Sequence, residues 1–231
     1  TDNNAGGGGG GILTSGTSSL TMETCTLSNN VANLNGGGGV YASGNAFTMT
    51  DCTLTDNVTN YNGGGGVYVA DGTFTMKGSS RITPSSGADE NAIGKNEVFL
   101  KNGKMITVDG ALTGTHPVAR ITPAAYNTTT QVLTGGAVDT EHSKFTVTPK
   151  DLGSGNTQQW EINSTGFLQK TPVVIDSSGD AWKKLKDAVA AANDDDVIII
   201  DGAIKATNSS GGKIEIKKNL TIRGKSGADS D

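Results

Sequence analysis

Tyr41 and Tyr68 each stand behind a valine and a run of four glycines, 36–39 and 63–66. Rings repeated in this way suit either of two tasks. They serve as a platform for the face of a pyranose, or they pair across strands and stabilise a sheet. Tyr41 and Tyr68 are the candidate glycan-contact residues. Cys25 and Cys52 recur at the same spacing as the two tyrosines. Stacked one strand spacing apart, about 4.8 Å, their Cα atoms would lie within disulfide range. Parallel in-register side chains point the same way, however, which strains the required dihedral, so free thiols in a buried ladder are the expectation. Asp51, Asp56 and Asp71 fall at turn positions, where aspartate is favoured anyway. Glu23, Thr50 and Lys77 form one outward set without a carboxylate cluster, whereas glycosidic hydrolysis needs two or three carboxylates facing one cleft. His116 and His142 have no Cys, Asp or Glu at ligand spacing. The glycine runs lead into Val40-Tyr41-Ala42 and Val67-Tyr68-Val69, not into the lysine-bearing helix of a phosphate-cradling loop. No catalytic residue, cofactor site or metal site is assigned from these positions.

The elements that must position these residues follow from the same period. Phe47 and Met49 recur as Phe74 and Met76, and Leu20, Met22, Cys25, Leu27 and Asn30 precede Phe47, Met49, Cys52, Leu54 and Asn57 by the same step. A period of about 27 residues falls in the range of solenoid repeats. Within a period the apolar residues alternate, which marks strands with one buried face. Three short strands per period with Gly- and Asn-rich corners suit a coil that returns one strand spacing above its start. The fold expected is all-β, a right-handed parallel β-helix. Leu20, Phe47 and Phe74 form one interior ladder, with Met22, Met49 and Met76 beside it. Glycine at the corners supplies positive φ and close backbone approach. Thr21, Thr48 and Thr75 form an outward rank, but a flat ice-binding face wants a second rank two residues along. That rank is Glu23, Thr50 and Lys77, and its charges break it. Threonine is also a favoured strand residue.

The wording Gly-Gly-x-x-Val-Tyr, with corner segments 27–30 and 54–57 of the form Leu-x-x-Asn, resembles the repeats of bacterial surface β-helix proteins. Among them are chlamydial polymorphic outer-membrane proteins and the pectin-lyase-like, adhesin-type proteins of spirochaetes and gut bacteria. The motifs cover roughly residues 6–115. The resemblance implies a bacterial cell-surface or extracellular location and a non-enzymatic, adhesin-like role, with host surface proteins or glycans as partners. Its alternative is a polysaccharide-binding or polysaccharide-degrading protein, since pectate lyases and polygalacturonases share the fold. Lyase chemistry in that group uses clustered carboxylates holding Ca²⁺ and an arginine base. The chain's three arginines, Arg81, Arg120 and Arg223, are expected outside the regular coils.

The 231 residues divide into three expected parts. Residues 1–114 are the coils, with strands at 97–100 and 105–108 forming a last hairpin-like or coil-closing piece. Residues 115–170 read as a small β module or cap. Residues 171–231 read as a capping helix over 180–193 and the first strands, 197–200, 214–216 and 220–222, of a second β-helix. The helix stripe is Trp182, Leu185, Val189 and Ala192. Run 197–200 is apolar without alternation, as a strand covered on both faces would be. The chain begins within a glycine-rich corner and reads as a piece of something longer. Exposed β-helix ends favour head-to-tail self-association. Net charge −5 and pI about 5.0 give no footprint for nucleic acid, and no apolar run reaches the length of a membrane-spanning helix.

Overall fold

The computed structural model describes residues 2–61, 63–84, 94–153, 156–206 and 211–225. The chain divides into two units, residues 1–169 and 170–231. The first is a parallel β-solenoid. Its longest sheet stacks six strands, Ile12–Ser15, Val40–Ser43, Val67–Val69, Val98–Leu100, Ala119–Pro123 and Phe145–Val147. A second stacks Ser19–Glu23, Ala46–Thr50, Thr73–Lys77, Ile106–Thr107 and Leu133–Thr134. The third holds Thr26–Ser28, Thr53–Thr55 and Arg81–Ile82, and the fourth holds Asn4–Ala5, Val31–Ala32 and Val58–Thr59. Among the described residues, the coils of residues 12–32 and 40–59 therefore have four strands rather than three. The fourth is two residues long, too short for alternation to reveal it.

Register follows the apolar ladders. Leu20, Phe47, Phe74, Ile106 and Leu133 align across the second sheet, and Phe47 and Phe74 stack with centroids 4.7 Å apart. Met22, Met49 and Met76 align beside them. Ile12, Val40, Val67, Val98, Ile121 and Val147 form the matching ladder of the first sheet. A slip of one residue would turn every one of these side chains to solvent, so burial enforces the pairing. The corners repeat in register too. Thr24, Asp51 and Gly78 occupy successive coils with φ of 49°, 53° and 60°, a left-handed bend that glycine adopts without penalty and Asp tolerates. The glycine run answers to close approach as well. A Cβ on Gly38 would meet Val58 O at 2.3 Å and Gly65 O at 2.5 Å.

Two expectations are corrected. The stack does not end at 114, and residues 115–170 are not a separate module. Ala119–Pro123 and Phe145–Val147 add two parallel strands to the first sheet, and Leu133–Thr134 adds one to the second. Val118, Ile121, Leu133, Phe145 and Trp160 belong to the same core as Phe47. Only after Val147 does the pattern change, to an antiparallel hairpin of Lys150–Gly153 and Asn156–Gln158. Likewise Val98–Leu100 and Ile106–Thr107 do not form a hairpin. They lie in different sheets, each parallel to the coil before.

In the second unit the strands Val173–Asp176, Asp196–Asp201 and Leu220–Gly224 are parallel, with registers Val173–Ile198 and Ile198–Ile222. The helix Ala181–Ala191 follows the first strand, and Asp180 caps it by accepting from Lys183 N at 2.9 Å. Its buried face is Ala181, Leu185 and Val189 against Ile175 and Ile198, while Trp182 is half-buried. Segment 214–216 is not a strand, and Ile216 is half exposed. Nor is 197–200 covered on both faces, since only Ile198 is fully buried.

Candidate contact surface

The outward side of the first sheet carries an aromatic rib. Leu13, Tyr41, Tyr68 and Phe99 align on four successive strands. Tyr41 and Tyr68 stack with centroids 5.0 Å apart and planes 3° from parallel, and Tyr68 and Phe99 stack at 5.1 Å and 5°. The glycine runs leave room for these rings. A Cβ on Gly36 would lie 2.4 Å from Tyr68 Cδ2. Burial, with a smaller contribution from Tyr41, pushes the Tyr68 phenol above its ordinary value. The stacking decides what the rib offers. Both faces of Tyr68 are taken by neighbouring rings, so ring edges and hydroxyls, not open faces, point outward. Leu13 continues the rib as an exposed apolar side chain.

The outward threonine rank is longer than its sequence period. Thr21, Thr48, Thr75, Thr107 and Thr134 align on five strands. Residues two positions along remain mixed, from Glu23 through Thr50 to Lys77.

The carboxylates do local work. Asp51 accepts from Ser79 N at 2.7 Å and Ser79 Oγ at 3.0 Å, and those bonds hold its carboxyl below its ordinary value. Asp71 accepts from Lys104 Nζ at 2.7 Å and Gly72 N at 2.8 Å, with the same consequence. Asp56 accepts from Thr55 Oγ1. The arginine expectation is corrected for two of the three: Arg81 and Arg120 lie within strands of the solenoid, whereas Arg223 lies in a strand of the second unit.

Sequence reasoning missed a buried charged group at the fourth coil. The register Val98–Ile121 sets Glu97 abreast of Arg120, and both are buried. Gly94 N donates to Glu97 Oε1 at 2.7 Å, while Oε2 makes no hydrogen bond among the described residues. Burial pushes the Glu97 carboxyl up to about 8, against the pull of Gly94 N–H and the Arg120 charge. Tyr126 feels both groups, and burial takes its phenol up to about 12 while its hydroxyl donates to Thr148 O at 2.8 Å.

Also missed was a buried asparagine ladder. Asn57 Oδ1 accepts from Asn30 Nδ2 at 2.8 Å and from Asn30 N at 3.1 Å. Its own Nδ2 donates to Asn96 Oδ1 at 3.1 Å and to Leu27 O at 2.9 Å. Asn3 extends the chain by donating to Asn30 Oδ1. The corner asparagines Asn30 and Asn57 were visible as repeats, but Asn96 lies well over one period beyond Asn57 and breaks the pattern.

Cys25 and Cys52 are free thiols. Cys52 Sγ accepts from Cys25 N at 3.2 Å, and each thiol donates to the carbonyl two residues before it. Burial raises the Cys52 thiol above its ordinary value. His142 Nδ1 lies 3.1 Å from Val138 O, and His116 is exposed. Among the described residues, no group of three or more His, Cys, Asp or Glu side chains converges to hold a metal ion. No described helix is long and apolar enough to cross a membrane. Comparisons with protein-family models, curated proteins and solved structures found no match.

Proposed function

We propose that this chain is a non-enzymatic, adhesin-like scaffold of a bacterial cell surface that presents its solenoid face to host macromolecules. The observation that carries the reading is the rib from Leu13 through Tyr41 and Tyr68 to Phe99. Its apolar edges and phenol hydroxyls repeat at one strand spacing along a rigid stack. Tyrosine supplies large contact area at low entropic cost and is enriched at protein interfaces for that reason. The repeat multiplies such contacts along an extended partner. The motif wording around 36–42 and 63–69, similar to surface β-helix proteins, supports the location.

The test is a solid-phase binding screen of the purified chain against extracellular-matrix proteins and a glycan panel. The Tyr41→Ser/Tyr68→Ser variant is run in parallel. Binding to at least one class, lost in the variant while circular dichroism shows that it still folds, is the expected result. Turnover of a polysaccharide by the wild-type chain, or binding indifferent to the rib, would remove the reading.

A further inference from the structure

Tyr41 and Tyr68 hold the arrangement that oxidative coupling of two phenols requires. They pair in register between parallel strands, so the two rings lie one coil apart with the same heading. Their centroids are 5.0 Å apart and their planes 3° from parallel. A phenol that loses one electron and its hydroxyl proton becomes a phenoxyl radical. The unpaired electron then occupies the ring π system, on the oxygen and on the ortho carbons Cε1 and Cε2. A bond between two such rings starts along the normal to both planes, and the stack fixes that direction. The surroundings select one edge. A Cβ on Gly36 would come within 2.4 Å of Tyr68 Cδ2, and one on Gly63 within 2.6 Å. Tyr41 Cδ2 faces Gly8 in the same way, at 3.1 Å. Both rings therefore turn one edge to the glycine runs and the opposite edge, bearing Cε1, away from them, and both are only half-buried.

The neighbours also select one partner. On its far side Tyr68 meets Phe99, at 5.1 Å, and a phenylalanine has no hydroxyl to give up. Of the chain's other two tyrosines, Tyr126 donates its hydroxyl to Thr148 O and tilts on Trp160, and Tyr61 is exposed outside the strands. We propose that Tyr41 and Tyr68 form an oxidative modification site, at which a Cε1–Cε1 bond joins two successive coils. The oxidant is a peroxide acting through a one-electron oxidant such as a haem peroxidase. Each phenol gives up one electron and one proton, and hydrogen peroxide takes up both pairs to become two waters. The two radicals pair as the new carbon–carbon bond. The hydrogen on each bonded carbon then moves to its own ring's oxygen, which restores both aromatic rings and both hydroxyls. The product is lighter than the chain by two hydrogen atoms. Coils of a solenoid are held by their nearest neighbours alone, and a covalent tie between two of them restricts the unfolded chain as a disulfide does. This goes beyond the contact-scaffold reading and does not depend on it.

The experiment treats the full chain, dilute, with hydrogen peroxide and a haem peroxidase, while N-acetyltyrosine in a parallel reaction shows that the oxidant works. Dityrosine fluorescence and peptide mass mapping read the products. The expected product is a monomer lighter by two hydrogens, in which the peptides holding Tyr41 and Tyr68 are joined. It forms at least about tenfold faster than any cross-link through Tyr61, because two rings held in place need no diffusional encounter. Tyr41→Phe and Tyr68→Phe, which leave a ring at each place in the stack, each abolish it, and Tyr61→Phe does not. The joined chain melts at a higher temperature than the untreated one. Coupling found only in covalent dimers, or tyrosine oxidised without a joined Tyr41–Tyr68 product, overturns the assignment. So does an absence of coupling where N-acetyltyrosine couples, or a product that persists in Tyr41→Phe. An unchanged melting temperature of the joined chain overturns the tie's stabilising role.

Discussion

Replacing Asn57 by alanine removes both ends of an amide that four buried groups depend on. Asn30 Nδ2 and Asn30 N lose their acceptor, and Asn96 Oδ1 and Leu27 O lose a donor. Asn30 and Asn57 are completely buried and Asn96 is 1% exposed, so water does not replace the missing partner. Each buried group left unsatisfied costs about 1–3 kcal/mol. Two alternatives soften the loss, because Asn30 Nδ2 also reaches Ser28 O and Asn96 Oδ1 also accepts from Asn57 N. Two groups at that cost leave a destabilisation of about 2–6 kcal/mol, a large part of the roughly 5–15 kcal/mol that holds a domain folded. Asn60→Ala is the matched control. It deletes a similar amide bond, to Asn33, three residues further on, but in contact with solvent. Its cost is about 0.5–1 kcal/mol at most. Urea denaturation followed by far-ultraviolet circular dichroism separates the two. Asn57→Ala should lower the midpoint sharply or prevent folding, and Asn60→Ala should barely move it. Similar small shifts for both would refute the reasoning that the inner ladder is a water-excluded polar spine.

Phe47→Asp should abolish folding of the first unit, because Phe47 is 1% exposed and stacked on Phe74, and an unpaired carboxylate there has no partner. A soluble variant with unchanged dichroism and melting temperature would contradict this. Glu97 sets a pH dependence whose sign follows from its raised folded-state value of about 8, against an ordinary value of 4.5. The folded state holds the proton more tightly, so the contribution is fully present below about 4.5 and is lost as pH rises through about 8. Glu97→Gln should flatten the fall in melting temperature between about pH 4.5 and pH 8, an effect of a few kcal/mol at most. An unchanged slope would mean the carboxyl is not the titrating group. In the second unit, Leu185→Asp should expose the sheet that the helix Ala181–Ala191 covers, and calorimetry should show the loss of that unit's transition while the solenoid's remains. Retention of both transitions would show that the helix is dispensable.

The regular coils were legible because three copies repeat the same ladder at one spacing, and each ladder position is apolar for the same reason. Legibility failed where the register survived and the spacing did not. Val67 pairs with Val98, Val98 with Ile121 and Ile121 with Val147, one step longer than the regular period followed by two shorter ones. Corner loops absorb the difference, so the stack continues while the period vanishes from the sequence. Asn96 was hidden for the same reason. Arg120 was misplaced because it follows the loss of period. Yet it stands in a strand, abreast of Glu97, where a sequence pattern has no means of reporting that a strand's outward face is covered. Tyr41, Tyr68 and Leu13 were legible from the period and Phe99 was not, and spacing alone could not say whether ring faces or ring edges would be presented. The stacking at 5.0 Å decides that.

One in-register stack running past the sequence repeat underlies the solenoid's ladders and the aromatic rib. The direct measurement is a spin-label distance between Thr21→Cys and Thr134→Cys, with Cys25 and Cys52 replaced by serine. Both threonines face outward in one rank, far apart in sequence but only four strand steps apart in the stack. At about 4.8 Å per step the backbones are ~19 Å apart, and labels should give a single narrow distribution within about 10 Å of that separation. A broad distribution, or one centred beyond about 35 Å, would mean that Leu133–Thr134 belongs to a separate module, and the continuous solenoid would be wrong.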